Sequence, residues 1–188
     1  PMINRSPKRA LLTLLIASAL GGVVVTDAFA QASSSERRGS SRKAPAKPEV
    51  LFPAATREAP SIKPSTKNQK VLNKMFTAYN KDDFEGTAAA AQELLSKEGI
   101  NAYERAVAAQ LAAQAAYNTD DMATAKQYLQ QAIEANGLDN NGHLQSLLML
   151  AQLQLQDEEY EAGLANLDKF FAESGSTRAQ DLIVKGQA

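Results

Sequence analysis

Three pairs of adjacent carboxylates are the residues of this 188-residue chain best placed to do chemistry: Asp82/Asp83, Asp120/Asp121 and Glu158/Glu159. Paired carboxylates can hold a divalent cation or divide into a general acid and a general base. Their spacing argues for a humbler role. Each pair recurs 38 residues after the last, always in a break between two helix-forming runs. There an acidic side chain caps the next helix, accepting backbone N–H bonds and complementing its positive end. Capping accounts for all three pairs. His143 is the single histidine and follows Asn140-Asn141-Gly142 near a helix start, so it is read as a surface or capping residue. The chain has no cysteine, which excludes a disulfide framework, a thiolate zinc site and a cysteine nucleophile. Glycine-rich phosphate loops, a Gly-x-Ser-x-Gly elbow and zincin motifs are missing from the sequence. The expectation is no catalytic residue, no metal and no cofactor.

The elements that carry those pairs form a repeat array. The breaks read Tyr79-Asn80-Lys81-Asp82-Asp83-Phe84, Tyr117-Asn118-Thr119-Asp120-Asp121-Met122 and Leu155-Gln156-Asp157-Glu158-Glu159-Tyr160. Gly99, Gly137 and Gly175 keep the same 38-residue step. In the second unit, residues 102–117 are Ala-rich and apolar on most faces, which suits a helix that packs closely. After the break, Met122, Ala125, Leu129, Ala132 and Ile133 form one apolar stripe, and Gly137 is the expected left-handed stop. Phe84, Met122 and Tyr160 are the apolar plugs after each turn. Ala91, Leu129 and Leu167 are the matching stripe positions, and Asn101, Asp139 and Thr177 are candidate N-caps, the last within a capping box Thr177-Arg178-Ala179-Gln180. The predicted fold is all-α: an α-solenoid of antiparallel helix pairs over 69–188, with units at about 69–99, 100–137 and 138–175 and a partial unit at 176–188.

This pattern resembles the tetratricopeptide repeat. Ala113 and Ala151 match that family's small residue in the first helix, and Tyr79 and Tyr117 match its terminal aromatic. Asp121-Met122 and Glu159-Tyr160 match its turn, and Ala125 and Ala132 match small residues of its second helix. The chain departs from the family in its longer period, against roughly 34 residues. Asp82, Asp120 and Glu158 stand where the family has a turn glycine, glycine replaces the closing proline, and Phe170 stands where Ala132 does.

The resemblance implies a binding face on the first helix of each pair. Its positions would be Phe76, Tyr79 and Asn80; then Gln110, Gln114, Tyr117 and Asn118; then Leu148, Gln152, Leu155 and Gln156. Amides can pair with an extended peptide backbone, and aromatics add apolar area. Of these, Phe76, Asn80, Gln110, Gln114, Asn118, Gln152 and Gln156 are the candidate partner-binding residues. Tyr79, Tyr117, Leu148 and Leu155 have a competing reading as inter-unit packing, and the amides of Asn80, Asn118 and Gln156 as turn caps. Lys/Arg clamps for a carboxylate terminus are not evident.

The N-terminal part differs in kind. Arg5, Lys8 and Arg9 precede a charge-free apolar run at 10–25 and an Ala28-Phe29-Ala30 pattern, together a predicted signal peptide over 1–30. The run is 16 residues long, short for a span of roughly 20, so no integral membrane span is expected in the mature chain. Residues 31–68 hold five prolines and eight Lys/Arg against three Glu, net +5. They read as a disordered basic Ser/Pro-rich linker. Within it Val50-Leu51-Phe52-Pro53 is an apolar island, a docking motif or an incidental run. Residues 69–188 hold nine Lys/Arg against seventeen Asp/Glu, net −8, a poor match for nucleic acid. The expected function is an exported, periplasmic or secreted, protein–protein interaction scaffold for a protein or peptide partner. The alternatives are a self-assembling module stacking through Leu182, Ile183 and Val184, and an envelope-surface binder using the basic linker.

Overall fold

A computed structural model describes residues 49–178 and Asp181. The predicted signal peptide, residues 31–48 of the linker and nearly all of the partial fourth unit, Gln180 and Leu182 to Val184 included, lie outside the described residues. Among the described residues, six helices follow a single 3-10 turn at Thr66–Asn68: α1 Gln69–Tyr79, α2 Phe84–Leu95, α3 Ala102–Asn118, α4 Met122–Ala135, α5 Asn140–Gln156 and α6 Tyr160–Ser174. No strand occurs among the described residues. Each helix packs on its chain neighbours, so the pairs stack in order as in a solenoid.

The acidic pairs divide their labour. The first member takes a left-handed backbone: Asp82 at φ 56°, Asp120 at 64° and Glu158 at 64°. Asp tolerates this conformation better than most non-glycine residues. The second member caps. Asp83 accepts from the Gly86 N–H at 2.8 Å, and Asp121 from the Thr124 N–H at 3.1 Å. Glu159 makes no such cap, and its carboxylate is used elsewhere. Asn101 caps α3 in a full capping box with Glu104, and Asp139 caps α5.

Gly137 differs from expectation. The left-handed stop of α4 is Asn136, at φ 48°. Gly137 is buried against the start of α3, where a Cβ would meet the Ala102 carbonyl oxygen at 2.1 Å. Its small size, not its backbone freedom, is what the fold uses. Gly175 does take the left-handed position at the end of α6, at φ 56°.

Ala-rich α3 is buried on almost every side because α2 and α4 flank it, and α5 is enclosed likewise by α4, α6 and the segment before α1. Ala91, Leu129 and Leu167 are buried as the stripe requires. Phe84 and Met122 are half-buried plugs, but Tyr160 is exposed at 55%.

The described part of the linker, 49–68, is not a free spacer. It runs as an irregular strap along the edge where first helices begin and second helices end. Phe52 is buried against Phe170, and the Thr56 N–H donates to the Glu173 carbonyl at 2.9 Å. Asn141 binds the strap backbone twice, accepting from the Leu51 N–H at 3.0 Å and donating to the Glu49 carbonyl at 2.6 Å. Arg57 donates to Asn140, Asn136 and the Leu138 carbonyl, while Asn140 returns a bond to the Arg57 carbonyl. Further along, Asn101 donates to the Lys63 carbonyl, and Ser65 donates to Glu104 through both its N–H and its hydroxyl. Composition alone suggested disorder. One aromatic anchor and a ladder of helix-start asparagines supply the missing interactions, and within Val50-Leu51-Phe52-Pro53 it is Phe52 that docks on the array, with Leu51 partly buried beside it and Val50 exposed.

Candidate functional site

The seven candidate partner-binding residues do not share one fate. Asn80, Asn118 and Gln156 are exposed where the first helices end, and Phe76 and Gln114 are half-buried beside them. No hydrogen bond among the described residues engages the side chains of Asn80, Gln114 or Gln156. Asn118 turns back to its own helix, its Nδ2 donating to the Gln114 carbonyl at 2.8 Å. Gln110 ties α3 to α5, with Nε2 3.2 Å from the Gly142 carbonyl and 3.3 Å from Ser146 Oγ. Gln152 is 4% exposed. Gln152 is therefore corrected from groove residue to interior residue, and Gln110 to an inter-unit tie. Their places on α3 and α5 put them between helices, because these two helices are enclosed on more sides than their pattern disclosed.

Leu148 is buried and Leu155, Tyr79 and Tyr117 are half-buried, in line with inter-unit packing. Burial, then Asp82, raises the Tyr79 phenol above its ordinary pKa. Tyr117 is raised by burial and then Asp120. Both rings therefore stay neutral and offer apolar area with one polar tip.

A second feature was not foreseen. A cleft of about 370 Å³ opens between α2 and α4 over the C-terminal half of α3. Ala88, Ala112, Ala115 and Ala116 make its small-residue walls, Phe84 and Tyr128 are its aromatics, and Glu85 and Asp121 stand at its acidic side. None of the seven candidate residues lines it. The 38-residue register held the signal. Where Ala88, Ala112 and Ala115 stand here, the next interface carries Lys126, Leu150 and Leu153.

His143 is buried at 3% exposure, not on the surface. Its Nε2 lies 3.4 Å from a Glu173 carboxylate oxygen without a hydrogen bond, and its Nδ1 has no partner among the described residues. Burial, then the charges of Arg57 and Lys169, pushes its pKa down to about 4. The imidazole is neutral at pH 7 and belongs to the seam between strap, α5 and α6. Among the described residues no three His, Cys, Asp or Glu side chains gather as a metal site requires, and no helix is long and apolar enough to cross a membrane.

Comparison with protein families matches residues 61–187 to the tetratricopeptide repeat-like domain. The chain belongs to this family. A search of curated proteins found no match. The tetratricopeptide-like match starts at residue 61, inside the strap, so the family's unit includes residues that composition had placed in the linker. The positive φ at Asp82, Asp120 and Glu158 explains why a tetratricopeptide turn favours glycine at that place. Repeats of this family serve protein–protein interaction in general and are not built around catalytic residues.

Proposed function

We propose that this chain is an exported, non-enzymatic interaction scaffold that binds a peptide or partner domain on the exposed ends of its first helices. The observation that carries the reading is the unspent amide set. Asn80 and Gln156 share one position of the 38-residue register, Gln114 lies one turn before it at the register of Phe76, and none of the three amides is consumed by an internal hydrogen bond among the described residues. Amides in that arrangement can satisfy the N–H and C=O groups of an extended chain. The positive n-region, apolar run and Ala28-Phe29-Ala30 pattern support export to the periplasm.

The test is affinity capture from a periplasmic extract with the full chain, beside a Gln114→Lys/Asn118→Lys/Gln156→Lys variant. All three positions are half-buried or exposed, so the variant should fold. The bait must keep the strap, since Ser65 and Arg57 brace the array. A partner held by the wild type, lost on the variant and re-bound as a purified protein supports the reading. Equal retention by both would move the site elsewhere.

A further inference from the structure

The cleft between α2 and α4 has a template for its occupant in the same molecule. One unit further on, Lys126 lies across the matching place. Its side chain is only 15% exposed, and its ammonium meets Asp157 at 2.6 Å and Glu159 at 2.5 Å. Burial alone would lower its pKa, but hydrogen bonds and charge from both carboxylates outweigh this and raise it. In the register of the repeat, Asp121 corresponds to Glu159 and Ala88 to Lys126. Glu85 adds a second carboxylate to the cleft lining, and no ion pair among the described residues reaches Glu85 or Asp121. The cleft thus has apolar walls for an aliphatic stem and acids for a cation, but its own chain position supplies a methyl group.

We propose that the cleft seats a cationic side chain from the basic stretch at residues 37–47 of the same chain. That stretch carries Arg37, Arg38, Arg42, Lys43 and Lys47 with no acid among them, and faces an array of net charge −8. Its tether is fixed. Glu49 is bound by Asn141 at the start of α5, and the cleft lies toward the opposite ends of the first helices. A 17-residue helix such as α5 is about 25 Å long, and helix axes sit about 10 Å apart. Arg38 is eleven residues before Glu49 and can reach about 36 Å when extended. Arginine and lysine both pack their stems on apolar surface while the head meets an acid. Docking there would lay the basic stretch over α3 and α4, on a surface separate from the amide face.

The experiment uses the full chain, whose lack of cysteine allows a single nitroxide at Ser40→Cys. Paramagnetic broadening of backbone amides is read at low salt. The expected result is loss of the Ala88, Ala116 and Asp121 peaks, with recovery at about 0.5 M salt, where charge is screened beyond a few ångströms. Ala88→Lys, which copies Lys126, should restore the Ala116 and Asp121 peaks by filling the cleft in place of the docked side chain. Glu85→Gln should restore them in part and keeps the test open if Ala88→Lys misfolds. Broadening centred elsewhere, or unchanged in both variants, overturns the proposal. So does broadening seen only when labelled chain is mixed with a separate isotope-enriched chain, which would make the occupant a second copy.

Discussion

The Phe52 ring meets the Phe170 ring edge to face, with centroids 5.6 Å apart and planes at 83°. Phe170 stands at the register of Ala132, and the larger side chain is accommodated because the strap brings an aromatic partner to it. Arg178 then lies over the outer side of Phe52, 4.4 Å from the ring centre. Burying Phe52 offsets much of the ordering entropy of the strap's first residues. Phe52→Ala is expected to lower unfolding stability by about 3 kcal/mol and to expose the backbone of 49–57 to proteolysis. Urea denaturation and limited proteolysis read both. A change below about 0.5 kcal/mol would return the strap to the status of a spacer.

Glu104 holds the other end of the strap. It is fully buried, and its carboxylate accepts from the Ser65 N–H and hydroxyl, the Asn68 amide and the Asn101 N–H. Burial acts to raise its pKa, but the bonds from Ser65, Asn101 and Asn68 outweigh that and hold it below the usual 4.5. A lowered carboxylate pKa adds stability that is complete above the unfolded value and is lost as pH falls through the folded one. Glu104→Ala strands several donors and should lower stability by about 3 kcal/mol. Glu104→Gln should remove the acid-dependent part below about pH 4.5. Chemical unfolding across that range separates the two, and a parallel pH profile for wild type and Glu104→Gln would refute the assignment.

Helix pairs, turn acids and the buried stripe were legible because they depend on local pattern: Asp83 and Asp121 cap, and Ala91, Leu129 and Leu167 are buried. The strap was not, because its stability comes from contacts 36 to 117 residues away in the chain, from Asn68 and Ser65 with Glu104 to Arg57 with Asn140 and Thr56 with Ala172 and Glu173. Composition carries no trace of such pairings. Gln152 misled for a related reason: polar residues inside an enclosed helix look identical in sequence to those on a groove. The cleft could have been found from Ala88 against Lys126, but only by comparing units for their differences.

Gly137 tests the close approach of the α4–α5 loop to the start of α3. A Cβ there would sit 2.1 Å from the Ala102 carbonyl oxygen and 2.5 Å from the Tyr103 nitrogen, both backbone atoms that cannot swing aside. Gly137→Ala should therefore destabilise by about 3 kcal/mol, at the upper end for overpacking. Gly99→Ala, with no atom near its Cβ but φ at 72°, should cost about 1 kcal/mol. Thermal unfolding of both variants checks the order. Equal losses would show that the loop shifts to make room and that space does not govern Gly137.

Lys126 joins the second and third units through Asp157 and Glu159. Both carboxylates are nearly half exposed, so the pairs are partly screened by water. Lys126→Met keeps the stem and should cost about 1 kcal/mol, a loss that shrinks in high salt. Because the Lys126 pKa is raised, its contribution is present at neutral pH and fades only as pH rises through the folded value, above about 10.5. Salt-dependent unfolding of wild type and Lys126→Met gives the comparison. A salt-independent difference would assign the effect to packing.

His143 makes the seam between strap, α5 and α6 sensitive to mild acid. Its neutral ring is buried, with Arg57 approaching from the strap and Lys169 from α6. Glu173 is close but not aligned for a hydrogen bond. The folded pKa is about 4 against 6.5 for the free side chain. The unfolded chain therefore binds the proton first, and stability falls as pH drops from 6.5 toward 4. Full expression of that difference amounts to about 3 kcal/mol. Above pH 6.5 the term is constant, and below pH 4 it is already spent. His143→Leu should flatten the profile in this window, while Glu104 still contributes below it. The strap should loosen first, since Thr56 and Arg57 are bonded to the same seam. Hydrogen exchange at Leu51 and Thr56, followed from pH 7 to pH 4.5, reads that order. Protection lost in the wild type and kept in His143→Leu would tie the acid response to this one imidazole. Equal loss in both would assign it to the carboxylates.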